Sequence, residues 1–300
     1  MDSGNIGFVL LCAAFVFVMT PGLAMFYGGL VRKKNVVNTM MTSIFIIGVG
    51  IVMWVLFGYS LSFAPSGNAF IGDFRWLGLE GVSLTEGYTD DASIPNMVFS
   101  AFQMMFAVIT PALITGAVAG GMKFKSIFVF TIFWSLIVYY PLAHMVWGQG
   151  GLLGADGIGA LDFAGGDVVH ISSGVSALVL CILLGKRHDY EHSIYRIHNI
   201  PKVVLGASLL MFGWFGFNAG SALAADGLAA HAFMTTGVSA AAAMLSWMLC
   251  DVIKNKKPTL IGASTGMVAG LVGITPGAGF VPMWAAVIIG LTTSPVCYIM

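Results

Sequence analysis

The chain has 300 residues, 58% of them hydrophobic and only 9% charged, with no net charge and a mean hydropathy of +0.93. A soluble domain carries roughly 25% charged residues, so this composition excludes one and marks an integral membrane protein. Neutrality, with no basic block interleaved by aromatics, also excludes nucleic acid as a partner.

The first five residues carry no positive charge, and the apolar run behind them continues to about Leu30. That is too long for a cleaved signal peptide, so the first span is retained. Hydropathy predicts about nine spans, near residues 7–30, 37–63, 97–121, 126–147, 165–185, 202–222, 229–252, 260–277 and 281–300. Their lengths approach the ~20 residues that cross a bilayer as a helix, and they lack the alternation of a membrane barrel. The predicted class is an all-α polytopic membrane protein.

Charge then orients the spans. Arg32, Lys33 and Lys34 follow span one, Lys123 and Lys125 span three, and Lys186, Arg187, Arg196 and Lys202 span five. Lys254, Lys256 and Lys257 follow span seven, which leaves Arg75 alone of the 13 Lys and Arg residues in an even-numbered connection. By the positive-inside rule the odd connections are cytoplasmic and the N-terminus is outside, in a multi-pass protein of the cell membrane.

The second connection, 64–95, carries Asp73, Glu80, Glu86, Asp90 and Asp91. It reads either as an acidic vestibule that concentrates a cation or as a solvated loop keeping itself polar. The fifth connection holds His188, His192 and His198, but gaps of four and six residues without cysteine make a poor metal pattern, and a solvated loop is preferred. Neither a metal nor a cofactor is expected. Cys12, Cys181, Cys250 and Cys297 stand singly in apolar runs and read as small packing residues. Breakers and small residues recur inside the spans, at Thr20-Pro21-Gly22, Gly28-Gly29, Thr110-Pro111, Gly116, Gly120-Gly121, from 213 to 220, and at Thr275-Pro276-Gly277. They suit close helix packing and also the interrupted helices that line a substrate path.

The chemistry centres on residues 160–174, which set Asp162, Gly165, Gly166 and His170 at the mouth of the fifth span. A histidine inside a membrane-length apolar segment is either met by a neighbouring helix as part of the core or marks a path or site. Three aromatic clusters lie near the outer ends of other spans: Phe102 with Phe106 one turn on, Tyr139-Tyr140 with His144 and Trp147, and Trp214 with Phe217, Asn218 and Ser221. Each alone reads as an interfacial aromatic belt. With the 160–174 stretch they read as one site.

These stretches carry a family resemblance. Residues 21–35 (PGLAMFYGGLVRKKN), Phe102-Gln103 with Phe106, 144–148 (HMVWG), 161–166 (LDFAGG) with Val168-Val169-His170, 213–221 (GWFGFNAGS), 262–266 (GASTG) and 273–276 (GITP) occur in one order across the chain. The sequence resembles the ammonium transporter family, with its methylammonium-permease and Rhesus relatives, and is most similar to the bacterial or archaeal type. The resemblance implies an eleven-span homotrimer with one pore per subunit, built as an inverted repeat of five plus five spans. The chain is then a single membrane domain over 1–300, with a first repeat at 7–185 and a partial second repeat at 202–300.

Carried over position by position, the resemblance implies that Trp147, Ser221 and Phe102 recruit the cation and that Phe106 and Phe217 form a stacked gate. It makes Asp162 the acid that organises the mouth of span five and supports deprotonation, with His170 and Thr275 lining a hydrophobic pore. The family's second pore histidine belongs to a tenth span, which neither His144 nor His231 matches, and the chain is expected to be C-terminally incomplete. The implied partners are ammonium or ammonia, the lipid bilayer, further copies of the chain and a cytoplasmic signal protein of the PII type.

The expected function is transport of ammonium or ammonia, with recruitment at the aromatic site, deprotonation near the gate and ammonia passage by His170. Rival readings are an ammonium-sensing membrane domain and a non-conducting fragment. An intramembrane enzyme using His170 with Asp162 or Asp167 lacks any accompanying nucleophile motif or metal spacing, so no enzyme is expected.

Overall fold

The computed structural model describes residues 1–65, 67–154, 157–187 and 196–300, and among them there is no strand. Among the described residues eight helices are long and apolar enough to cross a membrane: α1 Ser3–Leu30, α2 Lys33–Phe63, α3 Asn96–Ile114, α4 Phe124–Trp147, α5 Gly166–Leu184, α6 Ile200–Gly220, α7 Gly227–Asn255 and α8 Leu260–Gly277. A shorter apolar helix, α9 Met283–Ile299, follows. The all-helical class and the nine apolar segments read from the sequence are therefore present.

Local chemistry sets where several helices start. The side chains of Asp2, Asn199, Asp226 and Thr259 accept the backbone N–H three residues on, at Asn5, Lys202, Ala229 and Gly262. Each satisfies one of the orphan donors of a first turn. The third helix ends at Ile114, seven residues before the expected end at 121. Beyond it Thr115 turns its hydroxyl back to the Ala112 carbonyl and against Ser43 Oγ, and Gly120 takes φ +77°. Hydropathy could not see this stop, because an apolar, glycine-rich turn scores like a helix.

Inside α2, α4 and α5 the backbone widens into π-helical turns at Trp54–Gly58, Ser135–Tyr139 and Gly166–Ile171. Such turns rotate the faces of a helix and mark functional segments more often than ordinary turns do. The first lies against Tyr140 of α4, whose ring fills the place a side chain at Gly58 would need.

The core is built on α1 and α6, which pack along most of their lengths. A Cβ on Gly206 would lie 2.3 Å from the Phe26 nitrogen and one on Gly213 2.6 Å from the Phe15 carbonyl, so only glycine permits this approach. On one side α2 and α3 pack against α1, with α4 beyond α2, and α5 packs on α3. On the other, α7 and α8 pack against α6, with α9 on α7.

Outward faces of α5, α7 and α9 remain apolar and exposed, among them Leu178, Ile182, Leu245, Leu249, Ile288 and Leu291. One expectation is corrected: Cys12 packs in the core, but Cys181 and Cys297 are exposed, Cys181 within a cavity where its thiol meets the Ala117 carbonyl at 3.4 Å. Trp54 is buried with its indole N–H shared between the Ser100 carbonyl and hydroxyl, each at 3.2 Å.

Candidate functional site

Asp162 organises the start of α5. Its Oδ1 accepts from the backbone N–H groups of Gly165 (2.7 Å) and Gly166 (2.6 Å), and its Oδ2 from those of Asp167 (2.7 Å) and Val168 (3.1 Å). One buried carboxylate thus answers four donors and places negative charge at the positive end of the helix. The turn needs glycine: Gly165 has φ +119°, and a Cβ on Gly166 would lie 2.3 Å from Pro276 Cβ. Asp162 also presents its carbonyl to the Trp147 indole N–H at 3.1 Å, which ties the end of α4 to the mouth of α5.

Against that indole lies a cavity of about 460 Å³ at one end of the bundle. Phe102, Phe106, Trp147 and Ser221 all line it, so the three residues expected to recruit the cation come together with one gate residue. Ser221 donates its hydroxyl to the Phe217 carbonyl at 2.9 Å, which leaves oxygen lone pairs to accept from a ligand.

Across from them the wall includes a strap from the second connection, with Tyr88, Asp91, Ser93 and Ile94. Tyr88 is clamped to the end of α4: Gln149 donates its backbone N–H to the Tyr88 hydroxyl (3.1 Å) and its side-chain amide to the Tyr88 carbonyl (3.0 Å). Its ring stacks on Phe99 at 4.7 Å, and burial pushes the phenol pKa up to about 12. Elsewhere in this connection Arg75 bonds Asp73 at 2.7 Å in the open, and that guanidinium holds the Asp73 carboxyl below its ordinary range.

Beneath the cavity the Phe106 and Phe217 rings lie 4.3 Å apart at 32°. Phe217 in turn stacks on His170 (6.0 Å, 16°), and Trp214 lies against the same imidazole (5.3 Å, 27°). The His170 Nε2 is buried without a hydrogen-bond partner among the described residues. Thr275 is fully buried: it accepts the Trp214 indole N–H at 2.9 Å and donates to the Leu271 carbonyl at 2.8 Å. Its contact is thus with Trp214, which it holds against His170.

Two turns along α5 from His170, Ala177 and then Cys181 reach a second cavity of about 640 Å³ at the opposite end, also lined by Tyr27, Leu113 and Ala117. Phe102, Phe106, Trp147 and Ser221 thus line the first cavity, Phe217 and His170 stack in sequence beneath Phe106, and Asp162 and Thr275 support this group from outside the cavity. Reading residue by residue missed the Tyr88 strap, for which the sequence carries no periodic signal. It placed Trp214 in an aromatic cluster but gave it no role, and here its ring lies against His170. His144 serves the scaffold, its two ring nitrogens lying 3.1 Å from the Ser62 carbonyl and 2.8 Å from that of Asn68. Among the described residues no cluster of three His, Cys, Asp or Glu forms a metal site. Of the loop histidines, His188 and His192 lie outside the described residues.

Known proteins similar to this chain share one family and one fold. The sequence profile of the Ammonium Transporter Family matches residues 7–300. An ammonium transporter of Bacillus subtilis is 52% identical over 298 residues, which cover 99% of this chain and 72% of that protein. Among solved structures, Saccharomyces cerevisiae Mep2 superposes with a TM-score of 0.91 at 38% identity, over 100% of this chain and 66% of that one. A Sensor Amt Protein superposes with a TM-score of 0.88 at 29% identity, over 99% of this chain and 74% of that one. The chain thus spans roughly two thirds to three quarters of the length of the relatives it matches.

Proposed function

The chain belongs to the ammonium transporter family, and on that premise we propose that it moves ammonium nitrogen across a membrane through the column that runs from the Trp147 cavity past Phe106, Phe217 and His170. The observation that carries the proposal is that column: an aromatic cavity with a hydroxyl acceptor, then two rings in contact, then an imidazole stacked against the adjacent Phe217 and Trp214 rings.

A small cation with four N–H donors suits the Trp147 and Phe102 faces and the Ser221 lone pairs. Cation–π attraction supplies only about 0.5–2 kcal/mol, against tens of kcal/mol to carry an unpaired ion into a medium of low dielectric. The cation is therefore held at the cavity and gives up its proton to water in the open cavity at the outer face of the rings, so that ammonia alone goes on. Ammonia passes between them to His170, whose ring nitrogens accept from or donate to it. A potassium ion has no proton to release and stops at that step.

Trp147→Leu is expected to weaken uptake or its discrimination against potassium, with half-saturating ammonium rising by about threefold to tenfold for a lost cation–π contact. Trp54→Leu, on the scaffold, leaves selectivity unchanged. Ammonium uptake measured against added potassium checks both variants, and unchanged uptake and selectivity in Trp147→Leu would remove it from the site.

Orientation follows from charge. The Trp147 cavity opens outside, the Tyr27 and Cys181 cavity opens to the cytoplasm beside Lys186 and Arg187, and the N-terminus is outside. In a cysteine-free background, single cysteines placed within 67–95 should label only from outside and cysteines placed in 196–199 only from inside. The reverse pattern would overturn every side assigned above.

Residues 7–185 and 202–300 read as two related halves, a division supported by the contact between their first helices, α1 and α6. The exposed apolar faces suit a homotrimer in the cell membrane, with a PII-type signal protein as a cytoplasmic partner. The likeness to a Sensor Amt Protein favours a second reading, in which occupancy of the same column is signalled to a partner. Ammonium-dependent binding of a cytoplasmic partner without flux would select it.

A further inference from the structure

The turn that carries Ser221 is wound tighter than the helix before it. Past the end of α6 the backbone N–H groups of Ser221, Ala222 and Leu223 each bond the carbonyl three residues back, at Asn218 (3.2 Å), Ala219 (3.2 Å) and Gly220 (2.9 Å). The turn ends with Leu223 at φ +58°, a left-handed conformation that a leucine keeps only where its surroundings hold it. Ser221, Ala222, Leu223 and Ala224 all line the outer cavity, so whatever holds this turn also sets part of the cavity wall. Two contacts come from the start of α1, a helix with no residue in that wall. The Asn5 side-chain oxygen accepts the Ala225 backbone N–H at 2.9 Å, and Asn5 is itself fixed by its backbone N–H bonding the Asp2 carboxylate at 2.8 Å. The Asp2 backbone N–H donates to the Ser93 carbonyl of the strap at 2.8 Å, and the Ser93 hydroxyl reaches the Leu223 carbonyl at 3.5 Å.

We infer that Asn5 is a positioning residue for the outer cavity: by holding Ala225 it fixes the left-handed turn, and with it the place of the Ser221 hydroxyl. The inference rests on the transport reading above and adds a residue that itself touches no substrate. Without an acceptor at position 5 the Ala225 N–H turns to water, and Leu223 is free to relax from φ +58°. Ser221 then shifts against Trp147, which hangs from a different element, the Asp162 carbonyl. Capture at the cavity weakens while the Phe106 and Phe217 rings and His170 beneath it stay stacked. The effect therefore falls on half-saturation and leaves maximal uptake in place.

The test measures ammonium uptake by cells expressing the full chain, normalised to folded protein in the membrane. It compares Asn5→Ala, Asn5→Asp, Ser221→Ala, Asn5→Ala combined with Ser221→Ala, and Trp147→Leu. Asn5→Ala removes the acceptor, so half-saturating ammonium should rise about threefold to fivefold, the size of one hydrogen bond exchanged for water, while maximal uptake stays within about twofold. Asn5→Asp keeps an acceptor oxygen in place and should hold half-saturation within about twofold of the parent. In the Ser221→Ala background Asn5→Ala should add nothing further, since its effect runs through that hydroxyl. Gly7→Ala on the same helix, where a Cβ meets nothing within 4 Å, should change neither quantity.

Unchanged half-saturation in Asn5→Ala beside raised values in Ser221→Ala and Trp147→Leu overturns the role of Asn5 and leaves the site reading standing. The same rise on adding Asn5→Ala to Ser221→Ala overturns it as well, because Asn5 would then act without Ser221. Equal loss of maximal uptake in both Asn5 variants, with half-saturation unmoved, overturns it in favour of a packing role. Unchanged half-saturation in Ser221→Ala and Trp147→Leu together overturns the site reading, and this inference with it.

Discussion

Replacing Asp162 with alanine is expected to destabilise the protein by about 3 kcal/mol or more and to abolish uptake with it. A lost helix cap alone costs about 0.5–2 kcal/mol, and each buried N–H left without a partner adds about 1–3 kcal/mol where nothing else reaches it. Here four N–H groups lose one acceptor together, at a turn closed against Pro276 by Gly166. The Trp147 indole is hung from the same residue's carbonyl, so the cavity loses its shape as the turn loosens.

Asp162→Asn keeps the size but turns an amide NH2 toward two of the donors, so its loss should fall between those of the parent and the alanine variant. Thermal unfolding in detergent, read beside uptake, checks the pair. If Asp162→Ala melted like the parent yet carried no ammonium, the carboxylate would be acting on the substrate rather than holding the helix.

The second large effect belongs to the α1–α6 seam. Gly206→Val should cost more than the roughly 1–3 kcal/mol typical of overpacking, because the first added carbon would meet backbone atoms, the Phe26 nitrogen at 2.3 Å and the Gly22 carbonyl oxygen at 2.7 Å. Backbone cannot rotate aside as a flexible side chain does. The two helices must separate, and Phe217 and Trp214 on α6, with Ser221 just past its end, must move relative to the helices that complete the site. Gly48→Ala on α2 is the matched control, since its new carbon meets nothing within 4 Å. Thermal midpoints of the two variants measure the difference. A Gly206→Val protein as stable as Gly48→Ala would mean that the helices do not approach here.

How much of this was legible beforehand differs from element to element. The apolar runs that became α1 to α9 were readable because burial in lipid is a local property, satisfied residue by residue along one helix. The starts of α1, α6, α7 and α8 were equally local, since a capping side chain reaches only its own first turn. Residues 160–174 stood out locally too, as a histidine inside an apolar segment beside an acid and two glycines; that Asp162 organises the turn was implied only by the family resemblance, and its four N–H partners came from the structure.

The convergence of Phe102, Trp147 and Ser221 needed family resemblance, since no periodicity links three helices. Only the tertiary structure decided the rest. It ended α3 at an apolar glycine turn, put Thr275 behind Trp214 instead of in open space, carried the Tyr88 strap over the cavity, and tied the turn after α6 to Asn5. Hydropathy reports whether a side chain leaves water, and is blind to which neighbour it then meets. In this protein those neighbours are set by how closely α1 and α6 approach, and a few glycines allow that approach because they carry no side chain to hold the two backbones apart.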